Sequence, residues 1–381
     1  MPHPITTGLV LTGGGARAAY QVGVLKGLSD LMPDFHDPFR VICGTSAGAI
    51  NAVGLASGDS IFRHNVAHLE HLWSHLQVSD IYRADAFGMT RWFSHFVQSL
   101  VRGQSEEMPA SLLDNRPLRG FLEKELKVGV ISRNIAEGRL DAVGVNACGY
   151  SGGQSICFFE GRPDIPTWHL GQRGGARCEL HIDHLMASSA IPTLFPPVHI
   201  NREYFGDGAT RQMAHISPAL HLGANRVLVI GVSANRVCTP TRKKVSGIPT
   251  IAQVMEHLLN GLFLDTLEHD IDRLLVINRL LGLIPAEKLE AEGLGLRPVK
   301  LLEISPSQPI DEMAARHVEA LPVMLRRLIG KSMAQGSGGA SLASYLLFDR
   351  AFCRDLIALG YADAQSHAKQ LTDFFNDKRS M

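Results

Sequence analysis

Apolar positions along this chain change period several times, and each change marks an element. Gly8-Leu9-Val10-Leu11 and Val41-Ile42-Cys43 are short, unbroken apolar runs, the pattern of strands buried on both faces of a parallel sheet. Each runs into glycine and then into small or apolar positions, which predict helices over 18–31 and 47–56. Strand, turn, helix, repeated at once, is a βαβ opening. A period of 3.6 takes over at 61–77, where Val66, Leu69, Leu72, Trp73 and Leu76 share one face. Residues 92–101 carry a second helical stripe (Trp92, Phe93, Phe96, Val97, Leu100, Val101). It reads as core packing, with a lid or shallow membrane-binding helix as the alternative.

Further along, runs at 140–148 and 155–160 flank Gly149-Tyr150-Ser151-Gly152-Gly153 and predict a hairpin. A short helix over 184–189 stops at Ile191-Pro192, and short β segments follow at 198–200 and 203–205. The run 226–232 is apolar throughout, as a buried strand should be, and 299–304 adds another. Helical patterns dominate 249–282, 311–328 and the chain beyond Ser341, with Gly336-Ser337-Gly338-Gly339 between the last two. The expected architecture is a three-layer α/β/α fold with a mostly parallel central sheet. A catalytic domain is expected over 1–235, and a mostly helical extension packed on it over 236–381. The stripe Ile251, Val254, Leu258, Leu262, Ile271 and Leu274 reads as core, with a dimer interface or an acyl-chain wall as alternatives.

Composition narrows the function. With 381 residues, 45% of them hydrophobic, the chain can bury a large core. Lys+Arg and Asp+Glu both number 37, which argues against a nucleic-acid binder. Cys43, Cys148, Cys157, Cys178, Cys238 and Cys353 are scattered, so reduced thiols are expected rather than a disulfide or zinc framework. His64, His68, His71 and His75 share a narrow helical arc but lack the His-Glu-x-x-His register, and read as a solvated face. The first residues lack the pattern of a secretory signal, and no apolar run is long enough to span a bilayer. A cytoplasmic placement is expected, with peripheral membrane contact and a homodimer left open.

Chemistry gathers at the two glycine-rich turns. Gly44-Thr45-Ser46-Ala47-Gly48 is a Gly-x-Ser-x-Gly elbow, in which small neighbours let a serine sit on a sharp, exposed turn. Gly13-Gly14-Gly15-Ala16-Arg17 offers several backbone N–H groups in one loop opening a helix, suited to an oxyanion. Gly13-x-Gly15-x-x-Ala18 also fits a dinucleotide-binding fingerprint. That reading needs an acidic residue at the end of the second strand, where Cys43-Gly44-Thr45-Ser46 stands instead. A nucleophile and an oxyanion loop on neighbouring strand ends imply acyl transfer.

These turns, followed by Asp207-Gly208-Ala209, resemble in order and spacing the patatin-like phospholipase family. Ala187-Ser188-Ser189-Ala190-Ile191-Pro192 is similar to the family's Ala-Ser-x-Ala-x-Pro block, and Asp114-Asn115-Arg116-Pro117-Leu118 to another recurrent segment. The resemblance covers roughly 8–235, and Ser344-Tyr345-Leu346-Leu347-Phe348-Asp349 looks more loosely like the tail of some bacterial members. It implies a patatin-like fold and a lipid acyl hydrolase acting on a phospholipid or other acyl ester. Ser46 would be the nucleophile and Asp207 the base, and the loop Gly13, Gly14, Gly15, Ala16 the oxyanion hole. Gly44, Gly48, Gly208 and Ala209 would support them, and Arg17 would steady the loop or attract a phosphate-bearing substrate. No metal or organic cofactor is implied.

One position departs from the family: Ala18 stands where the loop usually has another glycine. A transacylase or thioesterase on the same dyad, a lipid-binding module without catalysis, and a triad assisted by His199 or His215 are the alternatives.

Overall fold

The computed structural model describes residues 5–59, 61–84, 111–234, 251–285, 288–289, 296–334 and 339–376. Strands β1 (Thr7–Leu11), β2 (Val41–Thr45), β3 (Ala142–Gly149), β4 (Ser155–Gly161), β5 (Trp168–Leu170), β6 (Arg173–Arg177), β7 (Val198–Ile200), β8 (Glu203–Asp207), β9 (Arg226–Ile230) and β10 (Lys300–Ile304) form one sheet. Its path is β10-β9-β1-β2-β3-β4-β6-β5, with β8 pairing β3 and β7. The central pairs from β10 to β3 are all parallel. The apolar runs behave as their composition demands, since every residue of β1, β2 and β9 is buried. Helices cover both faces, and the fold is mixed α/β with a mostly parallel central sheet, as expected.

Alternation along the strands divides the core. Leu9, Leu11, Leu228 and Ile230 face one layer, while Val10, Val41, Val227 and Val229 face the other. Helices α1 (Ala19–Leu31), α2 (Ala47–Ala56) and α3 (Phe62–His75) pack on the first face. The helix Thr266–Leu281 covers the second through Leu267, Ile271 and Leu274. Against α1 lies the helix Arg350–Ser366 at backbone distance: a Cβ on Gly23 would run into the Ile357 carbonyl, and one on Gly360 into the Tyr20 carbonyl.

The predicted β3–β4 hairpin is present, antiparallel from Ala142↔Gly161 to Cys148↔Ser155. Strands β5 and β6 escape the sequence pattern, because Trp168–Leu170 is only three residues long and Arg173-Gly174-Gly175-Ala176-Arg177 has no apolar run to announce a strand. The 251–275 stripe divides. Ile271 and Leu274 are buried, but Val254 is 49% and Leu258 55% exposed, with Leu259 and Phe263 buried in their place. A π turn over Gly261–Asp265 widens the helix there and shifts its inward face. The expected boundary at residue 235 and the 92–101 stripe lie outside the described residues. Beyond that boundary, β10 extends the same sheet in register with β9. His64, His68, His71 and His75 all lie on the exposed face of their helix.

Candidate active site

Ser46 joins β2 to α2 with φ 55° and ψ −130°, a conformation a non-glycine residue adopts only when its surroundings impose it. They do so here through contact. A Cβ on Gly48 would run into the Leu11 and Thr12 carbonyls, and one on Gly44 into the backbone of Gly48 and Ala49. The elbow is therefore pressed against the end of β1. Ser46 N–H donates to Ser188 Oγ at 2.8 Å, and Ser188 Oγ–H donates to the Asn146 carbonyl at 2.6 Å.

The register of β3 brings Asp207 to the same place. Thr45 pairs with Asn146, and Asp207 pairs with Ala147, the next residue of that strand. The ends of β2 and β8 thus meet along one edge of β3. Asp207 N–H donates to the Ala190 carbonyl at 2.9 Å, so the 187–192 segment holds both residues, Ser46 through Ser188 and Asp207 through Ala190. Gly208 has no room for a side chain against the Asn146 carbonyl.

Asp207 is 1% exposed. Its Oδ1 accepts the Ala209 N–H at 2.9 Å, and its Oδ2 is buried with no hydrogen-bond partner among the described residues. Burial raises its pKa to about 7, opposed by the neighbouring Ser46 hydroxyl and by the Ala209 amide. The Ser46 hydroxyl neighbours the carboxylate, although no hydrogen bond joins the two side chains. Neither candidate histidine is among the partners of Asp207. His199 is exposed and packs on Tyr204, while the buried His215 turns its Nε2 to Thr266 Oγ1 at 2.8 Å. Burial pushes His215 down to about 4.

The glycine loop lies directly over Ser46. A Cβ on Gly13 would stand 3.1 Å from Ser46 Cβ and 2.7 Å from the Phe263 ring. Gly15 has φ 55°, and a side chain there would strike the Tyr345 carbonyl. Among the described residues no acceptor takes the Gly13 or Gly14 amide, whereas the Arg17 amide is turned to the Gly14 carbonyl at 3.2 Å. Ala16 is wholly buried. Ala18 is helical (φ −65°, ψ −13°), so the alanine fits where the family's glycine usually stands.

Arg17 turns toward the helix Ala340–Leu346. It is buried, donates to Ser344 Oγ at 2.7 Å and Ser341 Oγ at 3.1 Å, and covers the Tyr345 ring at 4.2 Å. Of its two expected roles, this geometry favours steadying the loop. Asn260 Oδ1 accepts from Ser341 Oγ and Tyr345 O–H, tying the start of the π turn to the same helix, Ala340–Leu346.

Ser46 opens into an apolar pocket of about 630 Å³, open solvent at its mouth included. Ile50 of α2, Leu69 and Trp73 of α3, Leu118, Ile191 and Phe348 form much of its wall. Ser188, Asn260, Phe263 and Tyr345 were not assigned roles from sequence. Ser188 and Tyr345 stand inside quoted motifs, whereas nothing local marks Asn260 or Phe263. Among the described residues no group of three His, Cys, Asp or Glu could hold a metal ion, and no helix is long and apolar enough to cross a membrane.

Fold and site together define an α/β protein with a serine elbow at the carboxyl edge of a parallel sheet, set under a glycine-rich loop. The family model for patatin-like phospholipase matches residues 9–220, and the chain belongs to that family. A cGAMP-activated phospholipase of Escherichia coli (strain TW11681) is 30% identical over 210 residues, 52% of this chain and 51% of the relative. The match therefore spans about half of that protein's length. VipD from Legionella pneumophila aligns over 93% of this chain and 67% of its own at 12% identity, with a TM-score of 0.32. ExoU of Pseudomonas aeruginosa, solved with SpcU, aligns over 41% and 35% at 21% identity, with a TM-score of 0.22. At such scores the family assignment rests on sequence.

Proposed function

We propose that the protein is a lipid acyl hydrolase whose nucleophile is Ser46 and whose base is Asp207. The observation that carries this reading is the strained serine lining an apolar pocket, beside a buried carboxylate with an unpartnered oxygen. An acyl chain lies in the pocket, placing its ester carbonyl at Ser46. Asp207 takes the hydroxyl proton as Ser46 attacks, then returns it to the leaving alcohol. Water resolves the acyl-enzyme by the same proton path. The oxyanion forms under amides of the Gly13–Ala16 loop, where one such donor is worth about 2.7–4 kcal/mol of barrier. The Ser46 amide takes no part, being committed to Ser188. An aspartate serves as base because burial lifts it toward neutrality.

Fluorophosphonate labelling and hydrolysis of p-nitrophenyl esters and phospholipid vesicles test the reading. Labelling that vanishes in Ser46→Ala, and hydrolysis lost in Ser46→Ala and Asp207→Asn but kept in His199→Ala and His215→Ala, is the expected result. A folded wild type that neither labels nor hydrolyses any acyl ester overturns it. The same assay with added cGAMP asks whether the activation named for the E. coli relative extends to this chain.

A further inference from the structure

A cluster of cations stands apart from Ser46 and its apolar pocket. Arg173 at the start of β6, Arg211 at the end of the turn after Asp207, and Arg273 on the helix Thr266–Leu281 line one pocket of about 860 Å³, open solvent at its mouth included. Strand register puts it on the sheet edge that carries the elbow, because Cys148 near the end of β3 pairs with Ser155, and Ser155 with Arg173. Gly153, at φ 60°, brings the hairpin turn against Arg211, with a built Cβ 3.3 Å from the guanidinium carbon.

The charge in this pocket is not balanced. Arg40, Arg63, Arg116, Arg119, Arg133, Arg139 and Arg162 each keep an aspartate or glutamate within 4.0 Å. Among the described residues Arg173, Arg211 and Arg273 have no such partner. The acid in the pocket is Asp270, whose Oδ2 is occupied by the Ile216 N–H at 2.9 Å. Burial raises its pKa, while Arg273 and Arg173 act on it from a distance and lower it. His269 shares the wall, and Met213, 77% exposed, gives an apolar rim.

We propose that this pocket binds a phosphate ester, the three guanidinium groups taking the phosphate and Met213 the organic part. Planar guanidinium forks match phosphate oxygens, and three of them against one committed carboxylate leave a net attraction for an anion. The ligand is the headgroup of an anionic phospholipid or a soluble phosphate ester, which share this chemistry. Either one borders the segment that holds Asp207, since Arg211 closes the turn whose Ala209 N–H binds the carboxylate.

The test measures binding in a Ser46→Ala background, so its outcome is independent of the hydrolase reading. Isothermal titration with glycerol 3-phosphate serves the soluble arm. Sedimentation with phosphatidylcholine vesicles, with and without phosphatidylglycerol, serves the lipid arm. The comparison is between Arg173→Gln/Arg273→Gln and Arg279→Gln, an exposed arginine on the same helix outside the pocket. A loss of affinity of about tenfold or more in the double variant, with Arg279→Gln unchanged, is expected in at least one arm. Loss confined to phosphatidylglycerol vesicles assigns the site to a headgroup, and loss in titration alone assigns it to a soluble ester. No binding in either arm, or equal losses in both variants, overturns the proposal.

Discussion

Replacing Asp207 by asparagine should abolish hydrolysis while making the protein more stable at alkaline pH. Folding buries this carboxyl and raises its pKa from 3.8 to about 7. Between those values the native state holds a proton that the unfolded chain has released, so stability falls as pH rises through the window. A span of about three pKa units corresponds to about 4 kcal/mol in total, of which about 2–3 kcal/mol falls between about pH 5 and about pH 8.5. Asparagine keeps the acceptor for the Ala209 N–H but carries no charge, so its stability lacks this slope. His215 acts in the opposite sense. It is buried neutral with its pKa lowered to about 4, so its contribution is lost as pH falls below about 6.5. Subtracting the variant from the wild type cancels that contribution. Urea denaturation of both proteins at the two pH values gives the difference directly. The asparagine protein should gain about 2–3 kcal/mol relative to wild type on going from the acidic to the alkaline condition. A difference that does not change with pH would refute the reasoning, because Asp207 would then be an ordinary carboxylate. The same raised pKa predicts kcat/KM rising with pH through about 7 as Asp207 becomes a base.

Gly15→Ala forces a side chain into positive φ and onto the Tyr345 carbonyl. It should cost about 2 kcal/mol or more in denaturation experiments and lower kcat by distorting the loop. Arg17→Met removes hydrogen bonds to Ser341 and Ser344, and a loss of about 2 kcal/mol of stability is expected, with KM for phospholipid and for neutral esters moving together. A rise in KM confined to phospholipid would instead place Arg17 at the substrate phosphate. Ile50→Trp narrows the pocket beside Ser46 and should raise KM for long-chain p-nitrophenyl esters by about tenfold while sparing the butyrate, as a chain-length series would show.

What could be read in the chain before its fold was the set of features written over a few consecutive residues. Unbroken apolar runs announced β1, β2 and β9, because strands buried on both faces need no polar alternation. Glycines at 13–15, 44 and 48 marked the turns, because those sites admit no side chain. Ser46 and Asp207, the proposed nucleophile and base, were likewise legible, through the motif order. Strands β5 and β6 were not: β5 is only the three residues Trp168–Leu170, too short to show an alternation, and the glycines and arginines of β6 carry no strand signal on their own.

Tertiary structure alone decided how those pieces meet. That Thr45 and Asp207 take consecutive partners on β3 is a matter of register between segments far apart in sequence. No local pattern encodes a distance of this kind. The same holds for Arg17, whose partners Ser341 and Ser344 lie more than three hundred positions away. It holds too for Phe263, which a π turn brings against Gly13. The pKa of Asp207 also belongs to the fold, because desolvation depends on everything packed around the carboxyl and not on its neighbours in the chain. Local sequence fixes which chemical groups are available and where the backbone bends; packing sets their distances, their burial and therefore their reactivity.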